Sequence, residues 1–185
     1  QYRGAPMGLR ISINPRSKRL GQAPLDIAPI MQLQTNWCWA ACAQMVTAYY
    51  GNDLAAQCDF ANWNFSQNSC CVNGATAACD RPSSDPRITA VFSHWGINST
   101  YAFAQVSYTA IQEQISVGHP VEIGWAWGQG GGHVVLLVGS TIIGNGQYVY
   151  INDPGTGQEM MTYADLQTAK GGGLWDATWT NIVNL

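Results

Sequence analysis

Gln32-Leu-Gln-Thr-Asn-Trp-Cys-Trp-Ala-Ala-Cys-Ala-Gln-Met45 puts one cysteine, Cys38, on the first turn of an amphipathic helix, behind two glutamines and between two tryptophans. From Trp37 to Tyr50, the residues Trp39, Cys42, Ala43, Val46, Tyr49 and Tyr50 recur with the spacing of one helical face. Gly51 ends the pattern. Thr35 or Asn36 is expected to cap the helix, which leaves Cys38 among unpaired N–H groups at the positive end of the helix dipole, where a negative sulfur is favoured. A carboxamide from Gln32 or Gln34 can join the Cys38 backbone N–H in binding the oxyanion of an acyl-transfer intermediate.

A lone helical cysteine is usually a small buried hydrophobe, so the assignment needs partners. His133 follows Gly128-Gln-Gly-Gly-Gly132 and opens an apolar strand, Val134 to Gly139. Glycines there let a substrate chain approach closely. Gly144-Asn-Gly146 signals a hairpin into a second strand, Gln147 to Ile151. Antiparallel pairing returns Asn152 or Asp153 to the side of His133, where either can orient the ring. His94, beside the apolar stripe Ile88, Val91, Phe92 and Trp95, reads as structural, and His119 as a surface residue in a turn.

Three blocks, Gln-x5-Cys-Trp-Ala-Ala from Gln32, Gly-Gly-His-Val-Val-Leu-Leu-Val-Gly around His133, and Val-Tyr-Ile-Asn-Asp-Pro ending at Pro154, resemble the papain-like cysteine peptidases. The C39-like and AvrRpt2-like bacterial branch is a better match than papain itself, over roughly residues 30 to 185. The resemblance implies an α+β papain-like fold, with a helical half carrying the nucleophile on an antiparallel sheet carrying the histidine and the acid. It implies that Cys38 attacks a carbonyl, His133 moves the proton, Asp153 orients His133 and Gln32, at the family's spacing, serves the oxyanion hole. Trp39, Trp127, Gly131 and Gly132 are expected along the substrate cleft.

The chain has six cysteines. With Cys38 free, a second must also stay unpaired, and Cys42, on the core-facing stripe, is the candidate. Cys58, Cys70, Cys71 and Cys79 remain, in an Asn-, Ser- and Gly-rich stretch that reads as long loops held by disulfides. Adjacent cysteines rarely bond each other, so Cys70 and Cys71 are expected to pair separately with Cys58 and Cys79. A zinc site is disfavoured by irregular spacing and vicinal ligands. The loop also resembles the disulfide-bearing region after the catalytic helix of papain-like enzymes.

The remaining patterns predict a helix from Pro86 to Trp95, capped by Asp85 and stopped by Gly96, and another from about Thr109 to Val117. Strands follow at Val121 to Trp127, with Val121, Ile123, Trp125 and Trp127 on one face, at Gln158 to Thr162 and at Leu174 to Asn184, with a short helix near Asp165.

At 185 residues, 46% hydrophobic and with eight tryptophans, the chain can bury one substantial core. Only 10% of residues are charged, and no apolar run is long enough to span a membrane. Together with the cysteines this suggests a secreted monomer whose signal peptide has been removed. Residues 1–20 carry Arg3, Arg10, Arg16, Lys18 and Arg19 with no acid, whereas the rest has three bases and eleven acids. Residues 1–29 therefore read as a basic arm, a strap on an acidic body in preference to a processing remnant, ahead of a catalytic domain at 30–185. No nucleotide or metal motif occurs, no cofactor is implied, and basic residues are too few for nucleic acid. Asn64-Phe-Ser66 and Asn98-Ser-Thr100 fit the glycosylation pattern. The expected function is cleavage of amide bonds in protein or peptide substrates, first as an endopeptidase. Deamidation of Asn or Gln side chains, or transglutamination, uses the same acyl-enzyme. A non-catalytic disulfide-stapled module leaves the three blocks unexplained.

Overall fold

A computed structural model describes residues 21–52 and 54–185. The basic residues of the expected arm, 1–20, lie outside the described residues. In chain order the elements are β1 (Gly21–Gln22), α1 (Cys38–Tyr49), α2 (Gln57–Phe65), α3 (Asp85–His94), β2 (Ile97–Ala102), α4 (Tyr108–Ser116), β3 (Val121–Trp127), β4 (Gly132–Ile143), β5 (Gly146–Asp153), β6 (Gly157–Thr162), α5 (Tyr163–Gln167) and β7 (Gly173–Asn184). The strands form one antiparallel sheet in the order β2-β7-β3-β4-β5-β6, with β1 pairing β4 near its far end.

Both faces of this sheet are covered, and the alternation along its central strands sorts side chains between two cores. Val121, Ile123 and Trp125 of β3 join Val135 and Leu137 of β4 under α4 and α5. On the opposite face Val134, Leu136, Val138 and Trp179 meet Trp39, Cys42, Ala43 and Val46 of α1, with Phe60 of α2 and Val91 and Phe92 of α3. Helix α1 is buried beyond its predicted stripe, since Ala40, Ala41, Met45 and Thr47 are buried too. It ends as predicted at Gly51, whose φ of 89° suits glycine, with Asn52 N–H on the Thr47 carbonyl at 2.8 Å and Gly51 N–H on Ala48 at 3.0 Å.

Several details differ from the sequence expectation. Helix α2 occupies ground read as loop, and its buried stripe is Gln57, Phe60, Ala61 and Asn64. Two of those four are amides, held by hydrogen bonds: Gln57 accepts from Leu33 N–H and donates to the Met31 carbonyl, both at 2.8 Å, and Asn64 donates to Ser83 Oγ and accepts from Arg87 Nε. Burial of Asn64 also removes it as a glycosylation acceptor, whereas Asn98 is exposed on β2. The sequence did not suggest β2, an edge strand whose buried and open residues alternate without an apolar repeat. Ser84, not Asp85, is the N-cap residue of α3, because Asp85 already has helical backbone. The disulfides are Cys58–Cys71 and Cys70–Cys79, leaving Cys38 and Cys42 free. No helix among the described residues is long and apolar enough to cross a membrane.

Glu122 is the anomaly of β3. It alternates onto the α1 side, is fully buried, and neither carboxyl oxygen has a hydrogen-bond partner. Burial, followed by the charges of Cys38 and Asp85, holds its pKa well above the ordinary glutamate value, so it is folded as the neutral acid. An unfolded chain releases this proton near the ordinary value while the folded chain keeps it, so Glu122 lowers stability progressively as pH rises above that point. Glu122→Gln should therefore unfold at nearly the same urea concentration as the wild type at acidic pH and at a higher one at pH 8. The gain should not exceed about 1.4 kcal/mol per pH unit. Urea unfolding of both proteins from pH 4 to 8 measures it.

Candidate active site

The start of α1 is fixed from outside the helix. Asn36 N–H donates to Asp80 Oδ1 at 2.8 Å, Asn36 Nδ2 to the Asp80 carbonyl at 3.2 Å, Trp37 Nε1 to the Cys79 carbonyl at 2.8 Å, and Trp39 Nε1 to the Arg81 carbonyl at 3.1 Å. This corrects the expected capping: Trp37, not Thr35 or Asn36, takes the N-cap position, with no side-chain capping bond, while Asn36 is turned to Asp80 through its N–H and Nδ2. Cys38 is then the first helical residue, half-buried, where backbone N–H groups lack helical partners. Cys42, one turn on, is fully buried, and burial, then Glu122, pushes its thiol well above the usual range, so it stays protonated.

His133 lies near the head of β4 and Asp153 ends β5, and the hairpin between them joins the two side chains, with Nε2 2.7 Å from Oδ1. Asp153 Oδ1 also accepts the Gly155 N–H at 2.7 Å. The side chains are 17% and 6% exposed. Asn152, the other residue considered for this role, points away: its Nδ2 donates to the Ile27 carbonyl and its Oδ1 accepts from Gln158. With Nε2 on Asp153, Nδ1 is left free of that bond, and Cys38 lines the same cleft as His133. Burial disfavours the charged ring, but the bond to Asp153 and the proximity of Cys38 outweigh it and raise His133 to about 9. Asp153 is held below its ordinary value, since its bonds to His133 and Gly155 and the charges of His133 and Lys170 outweigh the cost of burial.

Around this pair the surface opens into a cleft of about 320 Å³, lined among others by Cys38, Trp39, Trp125, Gly131, Gly132 and His133. Trp39 contributes little open surface, as its indole is buried against Phe65. A second lobe beyond His133 is lined by Trp127, Thr35, Asp153, Gly155 and Lys170. The Trp127 ring is nearly parallel to His133, centroids 6.4 Å apart, and Trp125 stands 6.2 Å away. A Cβ at Gly132 would sit 2.7 Å from the Trp125 carbonyl, so the backbone itself demands this glycine. Gln32 lines neither lobe. Its Nε2 donates to the Gln34 and Thr35 carbonyls at 2.9 and 2.7 Å, and its Oε1 is buried without a partner. Gln34 Nε2 faces Gly74, where a Cβ would approach to 2.9 Å.

Sequence reading did not find Asp85, Asp176, Pro82 and Ser83 on the first lobe or Lys170 on the second, because they come from distant segments without a shared motif. His94 stacks on Trp63 at 4.5 Å, away from the cleft. His119 is half-buried in the turn after α4. Among the described residues the only grouping of potential metal ligands is Cys58, Asp59 and Cys71, and its two sulfurs are bonded to each other.

Residues 24–183 match the Peptidase_C39 like family. The fold recurs in the peptidase domain of Streptococcus ComA, described as a bifunctional ABC transporter of a quorum-sensing pathway, at 14% identity and TM-score 0.60 over 86% of this chain and 99% of that one. It recurs in a double-glycine-motif protease from an AMS/PCAT transporter, crystallised with its leader peptide, at 17% identity and TM-score 0.53 over 86% and 93%. A structure concerning the mite allergens Blo t 1 and Der p 1 matches at 13% identity and TM-score 0.51 over 90% and 74%. Such low identities speak for the fold alone. No curated protein sequence matches the chain significantly. The family match spans almost the whole chain, and the fold it predicts is the one observed: this protein belongs to the Peptidase_C39 like family of papain-like cysteine peptidases.

Proposed function

We propose that this protein is a secreted thiol hydrolase that cuts peptide bonds in proteins through an acyl-enzyme. The observation that carries the reading is the bonded pair of His133 and Asp153 at an open cleft that Cys38 also lines. Cys38, as a thiolate paired with the charged His133, attacks the carbonyl, and His133 returns the proton to the leaving amine. Asp153 keeps the ring in place and charged. The Cys38 N–H receives the oxyanion, joined by Gln32, whose carboxamide must exchange one of its present carbonyl acceptors for the substrate oxygen. The two disulfides favour an oxidising compartment outside the cytosol.

Incubation with casein, scoring new amino termini and free ammonia together, tests the reaction. New termini with little ammonia are expected, and a folded Cys38→Ala variant should lose activity by several orders of magnitude. Ammonia from intact casein would instead make the protein a side-chain amide hydrolase with the same residues. Full activity of Cys38→Ala would remove the thiol mechanism.

Because His133 must carry a proton to protonate the leaving group, kcat/KM should fall as pH rises through about 9. Asp153→Ala should shift this alkaline limb to lower pH and cut the rate, since the bond that raises His133 is gone. Asn152→Ala, if folded, should leave the limb in place, and an equal shift in both variants would contradict the assignment.

Gln32→Ala should lower kcat by about 10²- to 10³-fold with little change in KM, the signature of a lost oxyanion donor. Gln34→Ala is the contrast and should be much milder. The reverse order in steady-state kinetics would transfer the role to Gln34.

A further inference from the structure

The cleft is not electrically uniform. Asp85 and Asp176 both line the lobe that holds Cys38, on the wall formed by α3 and β7, together with Pro82 and Ser83. Asp176 is there because β7 carries a bulge: Gly124 pairs with Ala177 and Trp125 with Trp175, so Asp176 is the extra residue opposite none. Such a bulge re-aims a side chain at the cost of regular pairing. Asp85 begins α3 and has its Oδ2 fixed by the Tyr101 hydroxyl at 3.0 Å.

Neither acid has a cationic partner among the described residues. The Arg81 guanidinium lies over Phe65, and Arg87 lies over Trp63 while bonding Asn64. Lys170 is paired with Glu159 and lines the other lobe. Asp176 is pushed above its ordinary value by burial and then by Asp85, as expected for two carboxylates left to repel each other. On the same face of β3 as cleft-lining Gly124 lies Glu122, fully buried with both oxygens unpartnered, and close enough to Asp85 and Cys38 to feel their charges. Two carboxyl groups thus open onto one end of the cleft, above a third that is buried, and no cation of the described residues pairs with them.

We infer that this lobe is a subsite for the side chain of a lysine or arginine in the polypeptide that Cys38 attacks. The inference rests on the thiol-hydrolase reading and adds its substrate class. The ammonium or guanidinium takes the place between Asp85 and Asp176, and the methylene stem lies along Pro82 and the Trp125 side of the cleft. Partial exposure of both acids makes the attraction sensitive to salt.

A casein digest made with a glutamate-specific protease keeps lysine and arginine internal and serves as the probe. New termini from wild type, Asp176→Asn, Asp85→Asn and Asp176→Lys are read by mass spectrometry. Lysine or arginine should be enriched at one fixed position near the cut. For a basic peptide against its glutamine counterpart, the kcat/KM ratio should fall roughly tenfold in Asp176→Asn and less steeply in Asp85→Asn. It should also fall with added salt, and Asp176→Lys should turn the preference toward acidic residues. Should one variant fail to fold, the other and the salt series still decide. Cys38-dependent cleavage with no basic preference, or a preference unchanged in the variants, overturns the subsite and leaves the hydrolase intact. Absence of any Cys38-dependent cleavage overturns both.

Discussion

The hydrogen bonds between the turn at Asn36–Trp39 and the segment Cys79–Arg81 are the constraint on which the site depends. A cysteine at the first position of a helix belongs to the part most prone to fray, where N–H groups lack partners and side-chain caps normally hold the chain. Here no cap is present, and the segment ending at Arg81 replaces it. That segment is irregular, and the Cys70–Cys79 bond ties it back to the loop after α2, so the disulfide region works as the mould of the turn that carries Cys38. The close approach of Gly74 to Gln34 and Trp37 continues the same contact.

The sheet supplies the second half of the site by a different route. Burial on both faces fixes the register of β3, β4 and β5, since a slip of one residue would exchange the two cores. Register in turn fixes His133 and Asp153, which sit 20 residues apart in sequence and 2.7 Å apart in space. A bulge at Val138 in β4 turns its carbonyl to the N-terminal segment, which donates from Leu25, while Asn152 holds Ile27. Adjacent residues of β5 therefore do separate jobs, Asn152 anchoring the incoming chain and Asp153 the histidine.

What the sequence revealed and what it concealed follow from these two routes. Helices with apolar stripes and the hairpin with its Asn-Gly turn were legible because local periodicity and turn chemistry encode them, and the three blocks around Cys38, His133 and Asp153 were legible through their family resemblance. Helix α2 was hidden by its own packing: the helical spacing is present, but Gln57 and Asn64 stand where apolar residues are sought, and long-range hydrogen bonds compensate for their burial. The cap of α1 was misread because Asn36 bonds a residue 44 positions away. The bulge that frees Asp176 depends on the pairing of β7 with β3, which no local pattern reports.

Charge placement links these elements into one electrostatic design. Lys170 helps hold Asp153 ionised from the second lobe, and Asp153 holds His133 charged against its burial on the cleft that Cys38 also lines. On the far side of Cys38 the sign reverses, with Asp85 and Asp176 open to the cleft and Glu122 silenced beneath it. A neutral Glu122 is the only state compatible with this order. Ionised, with no partner, it would be a bare negative charge in the interior near Cys38 and Asp85, which burial disfavours. Burying the acid without a hydrogen bond is thus costly to stability yet keeps the floor of the site uncharged, while Asp85 and Asp176 stand at the wall where solvent and substrate can reach them.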